Sequence, residues 1–102
     1  MSNKRASIAV VMSTYNGAEH LHEQLDSILA QDVAEIADVS VYVRDDGSKD
    51  DTAVILSEYE SRGQIVFVRG QNLGVVGSFL DVISCVPGEV DYIALCDQDD
   101  VW

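Results

Sequence analysis

The sequence predicts an α/β fold, a Rossmann-like and mostly parallel sheet in which strands and helices alternate along the chain. Two observations lead to this prediction. Apolar runs of strand length recur four times, and each of the three stretches between them carries apolar residues at helical spacing. A helix that joins two strands returns the chain to the same end of the sheet, so the strands that it joins run parallel.

The first strand and helix lie within residues 7–31. Residues 7–13 (SIAVVMS) are apolar and predict a strand, and the TYNGA segment after them has the composition of a turn. Residues 19–31 predict a helix because their apolar side chains recur on one face. That face consists of Leu21, Leu25, Ile28 and Leu29.

The second strand and helix follow the same pattern. Residues 39–44 (VSVYVR) predict a strand, DDGSKD predicts a loop, and residues 52–62 predict a helix that ends at Gly63. The side chains expected to face inward from this helix are Val54, Ile55 and Tyr59.

The third unit starts at Ile65. Residues 65–69 (IVFVR) predict a strand, GQNLG predicts a loop, and residues 75–85 predict a helix that ends before Pro87. A fourth strand, predicted over residues 90–96, is expected to be buried in its apolar part. The expected inward side chains of the third helix are Val76, Phe79, Val82 and Ile83.

Length and composition indicate a single domain over residues 1–102, because 102 residues with 47% hydrophobic content form one core but not two. Apolar stretches fall far short of the ~20 residues that cross a bilayer, and no signal peptide is recognisable, which predicts a cytoplasmic protein without a membrane span. Within a longer protein, the chain is expected in the cytoplasm or at the cytoplasmic face of the inner membrane. Cys85 and Cys96 lack zinc-site or disulfide spacing and are expected to be buried free thiols.

The formal net charge of −12 repels nucleic acids and anionic lipid headgroups, so nucleic acid is excluded as a partner and an anionic ligand requires a cation. Acidic residues follow the predicted strands, whose carboxyl ends line the usual ligand crevice of a parallel sheet. Carboxylates ~5 Å apart repel by about 3 kcal/mol, which a divalent cation relieves, and all-oxygen ligands favour Mg²⁺ or Mn²⁺. The acids expected to converge are Asp45, Asp46, Asp97, Asp99 and Asp100.

Most of these loops also have a purely structural interpretation. Asp46 can form an Asx-turn, Gly47 can take a positive φ, and the next helix has three candidate caps, Ser48, Asp50 and Asp51. TYN can likewise be only a loop. DQDD is harder to explain in this way, because a buried strand gains no stability from three acids at its end.

In this order and spacing, STYN, RDDGS, NLG and DQDD resemble the inverting glycosyltransferases of family 2, which have the GT-A fold. The resemblance extends from Ser7 to Trp102. It implies transfer of a sugar from a nucleoside diphosphate to an acceptor hydroxyl, with Mn²⁺ or Mg²⁺ stabilising the charge on the β-phosphate. The motifs look most like rhamnosyltransferases of bacterial surface polysaccharide synthesis, which implies dTDP-L-rhamnose as donor and a saccharide or lipid-linked saccharide as acceptor.

The resemblance also implies roles for individual residues. Asp99 matches the direct metal ligand, and Asp97 matches the acid that supports the ribose or the water shell of the metal. Tyr15 matches the residue whose ring packs on the nucleobase, and Asp46 matches the acid that accepts the imide N–H of the base. The remaining wall residues are Thr14, Asn16 and Asp45.

The catalytic base of the family lies on a later segment, so no residue up to Trp102 is assigned that role. We therefore expect this chain to be the donor-binding half of a longer enzyme, inactive alone, and the sequence is compatible with a homo-oligomer. One alternative is a haloacid dehalogenase-like phosphatase with Asp97 as the nucleophile, although that motif belongs on the first strand of its fold. A nucleotide-binding module without catalysis is the other alternative.

Overall fold

The computed structural model describes residues 6–30 and 37–96. The predicted alternation is confirmed, and the pairings between the described strands are parallel. The second strand is longer than predicted and includes Asp45 and Asp46, which the sequence places in the loop. In chain order the elements are β1 (Ala6–Thr14), α1 (Ala18–Leu29), β2 (Ala37–Asp46), α2 (Thr52–Ser61), β3 (Val66–Gly70), α3 (Gly74–Ser84) and β4 (Tyr92–Cys96).

The described strands form one sheet in the order β3-β2-β1-β4. The chain builds this sheet from β1 through β2 to β3, and α3 then carries it back to the other side of β1. The direction of the strand order therefore reverses between β1 and β4. A reversal of this kind opens a crevice at the carboxyl ends of the two strands.

Helices pack on both faces of the sheet. On one face, α1 and α2 bury an apolar core that includes Met12, Leu25 and Leu56. On the other face, Ser13, which follows Met12 on β1 and points the opposite way, hydrogen-bonds Ser78 of α3. The sheet is therefore covered by helices on both sides, as expected for a parallel sheet.

The buried face of α1 is the predicted one, whereas the buried face of α2 is rotated about the helix axis by part of a turn from the predicted face. Leu56 and Tyr59 of α2 are buried and Ile55 is half-buried, but Val54 is 59% exposed, so the prediction for Val54 is wrong. Leu56 and Tyr59 are three residues apart and share one side of the helix, and Val54 lies about 200° around the axis from Leu56.

The face of α3 is also only partly as predicted. Val82 is buried and Phe79 and Ile83 are half-buried, but the prediction for Val76 is wrong because its side chain is 74% exposed. The helix sequence GVVGSFLDVIS is apolar on nearly every side, so periodicity does not select one face. The side of α3 that faces the sheet carries Ser78, which is fully buried and hydrogen-bonded to Ser13 of β1.

The fourth strand is not buried as predicted. Tyr92, Ile93 and Leu95 are exposed and only Cys96 is fully buried, because β1 is the one neighbour of β4 among the described strands. Both cysteines are free thiols, and the expectation of burial is wrong for Cys85, which is exposed. Within residues 6–30 and 37–96, the helices are all too short or too polar to cross a membrane.

Candidate functional site

The loops that follow β1 and β2 are held together by hydrogen bonds between them. The Asn16 amide donates to Ser48 Oγ at 2.8 Å, and the Lys49 amide donates to Asn16 Oδ1 at 2.8 Å. The Gly17 amide donates to Thr52 Oγ1 at 3.1 Å. Asn16 adopts a left-handed φ of 49°, which asparagine tolerates better than most residues. Its side-chain oxygen thus organises the neighbouring loop.

Asp50 supports the first turns of two helices. Its carboxylate accepts the Ala18 amide at the start of α1 at 3.2 Å and the Thr52 amide at the start of α2 at 3.0 Å. The pKa of Asp50 is lowered, chiefly by the hydrogen bond from the Thr52 hydroxyl, with the two backbone amides helping and burial opposing. Of the predicted caps for α2, the carboxylate of Asp50 is therefore the one that accepts an amide of the helix.

At the carboxyl ends of β1 and β2, two buried polar atoms have no hydrogen-bond partner among the residues that the structure describes. They are Thr14 Oγ1 and Asp45 Oδ2, on residues that are paired in the strand register. The other carboxylate oxygen of Asp45 accepts the amide of Ser48, three residues further on, at 3.1 Å, so Asp45 supports the loop for which the sequence offers an Asx-turn at Asp46. Buried polar atoms of this kind normally bind a water or a ligand group.

Asp46 has a different role from the predicted turn. Its Oδ1 accepts the Leu73 amide at 2.8 Å, and its Oδ2 accepts the Gly74 amide at 3.2 Å. These amides begin α3, where Leu73 provides no capping side chain of its own. Gly47 has the predicted positive φ, 83°, and a Cβ there would lie 3.0 Å from the amide nitrogen of Asn72.

Arg44 lies behind Asp46, and the sequence analysis assigns no role to it. Its guanidinium is 2% exposed and forms an ion pair with Asp46. Nε donates to Asp81 Oδ2 at 2.7 Å, and Nη2 donates to the Gln71 carbonyl oxygen at 3.0 Å. Burial opposes its positive charge, but Asp81 and Asp46 outweigh burial and raise the pKa of Arg44. The sequence signal for this buried ion pair is a single arginine in an apolar strand, directly before two acidic residues.

Tyr15 and Asp46 lie at the carboxyl ends of the adjacent strands β1 and β2. Thr14 and Asp45 are register partners, and Tyr15 and Asp46 each follow one of them directly. Tyr15 is 40% exposed, whereas the Asp46 side chain is only 5% exposed. An accessible aromatic residue therefore follows β1 at the end of the sheet where β2 carries an anchored carboxylate.

The predicted metal ligands Asp97 and Asp99 lie outside the described residues, as does Asp100. The strand before them is described as far as Cys96, which is the register partner of Met12 on β1. Within residues 6–30 and 37–96, there is no group of three or more His, Cys, Asp and Glu side chains that could hold a metal ion. The described part of the site thus consists of Thr14, Tyr15, Asn16, Asp45 and Asp46.

Comparison with known protein families identifies the chain. The family described as "Glycosyl transferase family 2" matches residues 9–102. The chain belongs to this family. The family 2 resemblance carried by the STYN, RDDGS, NLG and DQDD motifs is confirmed, together with an α/β fold shared with solved glycosyltransferase structures.

Two curated relatives and one solved structure illustrate the similarity. An uncharacterized protein of Mycobacterium tuberculosis is 39% identical over 98 residues, covering 93% of this chain and 27% of that protein. The dTDP-rhamnosyl transferase RfbG of Shigella flexneri is 38% identical over 96 residues, covering 89% of this chain and 32% of that protein.

The solved structure is residues 1–349 of TarS from S. aureus, with a TM-score of 0.77, 26% identity, and coverage of 93% of this chain and 28% of that chain. The complex of the same TarS segment with UDP has a TM-score of 0.71 and 26% identity. This family 2 chain therefore spans less than a third of the length of each of these three proteins.

Proposed function

We propose that this family 2 chain binds a nucleoside-diphosphate sugar and serves as the donor site of an inverting glycosyltransferase. The observation that carries the proposal is the juxtaposition of Tyr15 and Asp46 at the carboxyl ends of β1 and β2. This edge of the sheet adjoins the crevice where the strand order reverses. An aromatic ring offers a face for a base, and a carboxylate accepts an N–H at the edge of that base.

The buried side chains of Thr14 and Asp45 also support the proposal. Thr14 Oγ1 and Asp45 Oδ2 are buried and have no hydrogen-bond partner within residues 6–30 and 37–96. We propose that they bind an ordered water or a ligand hydroxyl, because a buried polar atom left unpaired costs about 1–3 kcal/mol. Asn16 supports the wall by holding the loop of Ser48 and Lys49.

A divalent cation, Mn²⁺ or Mg²⁺, is part of the proposal. Its proposed ligands are Asp99 and Asp97, and the support is the carboxylate-only donor set of the motif together with a net charge of −12. The negative charge opposes the approach of a diphosphate. When bound, such a cation supplies Lewis-acid stabilisation of the charge on the leaving diphosphate.

The proposed donor is dTDP-L-rhamnose, and the proposed acceptor is a saccharide or lipid-linked saccharide of a bacterial surface polysaccharide. The name of the Shigella flexneri relative, a dTDP-rhamnosyl transferase, supports this donor, and the UDP complex of TarS supports a nucleoside diphosphate in general. The phosphatase alternative is not favoured, because DQDD follows the fourth strand along the chain rather than the first. A non-catalytic module predicts nucleotide binding without sugar transfer.

Calorimetric titration of the 102-residue protein with dTDP, UDP and GDP, with and without Mn²⁺, tests the proposal. We expect binding that depends strongly on the cation and favours dTDP. Asp99→Ala should abolish the cation dependence and Asp97→Ala should weaken it, whereas Asp100→Ala, the matched control, should change it little. Absence of nucleotide binding, or binding of equal strength without Mn²⁺ in both the wild type and Asp99→Ala, would contradict the mechanism.

A further inference from the structure

The buried guanidinium of Arg44 connects the elements that surround the proposed base site. It contacts Asp46 on its own strand, the Gln71 carbonyl in the loop before α3, and Ser78 and Asp81 on α3. Arginine presents its donors in a rigid, planar fork, so these contacts determine its orientation as well as its position. Arg44 therefore fixes the place of the Asp46 carboxylate relative to α3.

The backbone leaves room for this guanidinium only because residue 70 is glycine. A Cβ on Gly70, at the end of β3, would lie 2.2 Å from Nη2 and 2.8 Å from Cζ of Arg44. Both distances are shorter than any non-bonded contact that carbon makes. An alanine at this position would thus displace the Arg44 fork without removing any atom of Arg44 or Asp46.

The contacts to Asp46 leave little of its carboxylate for a ligand. An ionised carboxylate has about four acceptor positions. Arg44 and the Leu73 amide occupy Oδ1, and the Gly74 amide occupies one position of Oδ2. With respect to residues 6–30 and 37–96, one acceptor position therefore remains, on Oδ2, and only 5% of the side chain is exposed.

A single acceptor position discriminates between bases. The imide of uracil or thymine presents one N–H donor between two carbonyl oxygens, and one acceptor satisfies it. Guanine presents its ring N–H and its amino group side by side, and both oxygens of a carboxylate are needed to pair with them. With Oδ1 filled by Arg44 and Leu73, one of the guanine donors would be left unpaired, which is costly in a desolvated site.

We propose that Arg44 is a positioning residue for Asp46 and that this pair makes the site select a pyrimidine base over guanine. The inference rests on the proposed function, since it concerns the base of the same nucleotide. Arg44 acts through Asp46 without touching the base. Its effect is therefore expected in the ratio of the affinities for UDP and GDP rather than in nucleotide binding as a whole.

The test compares Kd for UDP and GDP, measured by calorimetry with Mn²⁺ at a temperature where circular dichroism shows every variant to be folded. The variants are Arg44→Lys, which keeps the charge but lacks the fork, and Gly70→Ala, which displaces the fork. Gly88→Ala is the matched control, because a Cβ at Gly88 meets nothing within 4 Å. The ratio of the two Kd values is insensitive to a small unfolded fraction, because unfolded molecules reduce the binding of both nucleotides equally.

We expect the wild type and Gly88→Ala to bind UDP at least about tenfold more tightly than GDP, as one charge-assisted hydrogen bond allows. In Arg44→Lys and Gly70→Ala, UDP affinity should fall about tenfold while GDP affinity changes little, so the preference disappears. Asp81→Asn, at a side chain that is 45% exposed, should reduce the preference for UDP in part. If the other two variants do not fold, this variant tests the role of Arg44.

Three results would overturn the inference. A wild type that prefers pyrimidines, with variants that keep its preference, would leave Arg44 a purely structural residue and the proposed function intact. A wild type that binds GDP as well as UDP would remove the base selectivity but not the nucleotide site. A wild type that binds neither nucleotide would remove the proposed function and the inference together.

Discussion

At the scale of single residues, the two adjacent acids of the DDGS segment serve different parts of the site. Side chains alternate along a strand, so Asp46 lies on the α3 side with Arg44, and Asp45 lies on the opposite side. Asp45 accepts the Ser48 amide and shapes the loop, whereas Asp46 joins β2 to the start of α3. The two acids are therefore not interchangeable, although the sequence pattern treats them alike.

Tyr59 shows how burial changes the ionisation of one side chain. Its hydroxyl donates to Asp26 Oδ1 at 2.7 Å and lies 3.1 Å from Nδ1 of His22, so it connects α2 to α1. Burial, and after it the hydrogen bond to the Asp26 carboxylate, raises the pKa of Tyr59 to about 12. The folded state therefore holds the phenol proton more tightly than the unfolded chain, whose tyrosine pKa is about 10.

The Tyr59→Phe variant tests this connection. Because the folded-state pKa is raised, the stability that the phenol contributes is complete below about pH 10 and is lost as the pH rises towards 12. We expect Tyr59→Phe to lower the free energy of unfolding by about 1 kcal/mol at pH 8 and the difference from wild type to shrink above pH 10. Urea unfolding of both proteins at pH 8 and above pH 10 measures this difference in the free energy of unfolding. A difference that is the same at both would contradict the raised pKa.

At the scale of elements, the starts of α1 and α2 depend on one carboxylate. Neither Gly17 nor Asp51, the N-cap residues of these helices, caps its own helix with a side chain. Asp50 instead accepts an amide from the first turn of each helix, those of Ala18 and Thr52. The two helices are thereby coupled at the end of the sheet where the proposed nucleotide binds.

This coupling predicts a dependence of stability on acidic pH. Since the pKa of Asp50 is lowered in the folded state, its contribution is complete above about pH 4 and is lost as the pH falls through the folded-state pKa. Asp50→Asn should be less stable than wild type at pH 7, and this deficit should narrow below pH 4. Thermal unfolding at pH 7, 4 and 3 checks it, with Asp51→Asn as the control because that side chain makes no capping hydrogen bond. Equal pH profiles for Asp50→Asn and wild type would contradict the role of Asp50.

At the scale of the whole molecule, apolar side chains are exposed on α3 and on the neighbouring part of the sheet. Leu80 of α3 is 64% exposed and Ile93 and Leu95 of β4 are 43% and 59% exposed, whereas Val82 of α3 is fully buried. This side differs from the α1 and α2 side, where the apolar faces of the helices meet the core of the sheet.

A matched pair of lysine substitutions on α3 tests this description. Leu80→Lys should change the free energy of unfolding by less than about 0.5 kcal/mol, because the side chain is exposed. Val82→Lys should lower the free energy of unfolding by several kcal/mol, because it places an unpaired charge in the core. Urea unfolding followed by circular dichroism measures both. A loss of stability in Leu80→Lys similar to that in Val82→Lys would show that this side is covered in solution.

Much of the architecture follows from local patterns that are visible in the sequence. The alternation of strand-length apolar runs with helical periodicity predicts the order of the elements, and Leu21, Leu25 and Ile28 are buried as their spacing requires. The family follows from the order of four short motifs, which a single sequence displays without any structure. The elements depend on residues that are close together along the chain, so periodicity and turn chemistry are sufficient to predict them.

The tertiary structure alone decides which side chains meet across strands. The sequence offers Asp46 a turn or a contact with the base, but not the contact with α3, and it does not single out Arg44. The partners Leu73, Gly74 and Asp81 lie about 27 to 37 residues away along the chain. The predictions for Val54 and Val76 are wrong for a related reason. The face that a helix buries depends on its packing against the sheet, which the spacing of apolar residues within the helix does not specify. The sequence by itself therefore determines the elements, the family and the candidate residues of the site. The hydrogen-bond network that orients these residues depends on the parallel register of β1, β2 and β3, which only the folded chain brings together.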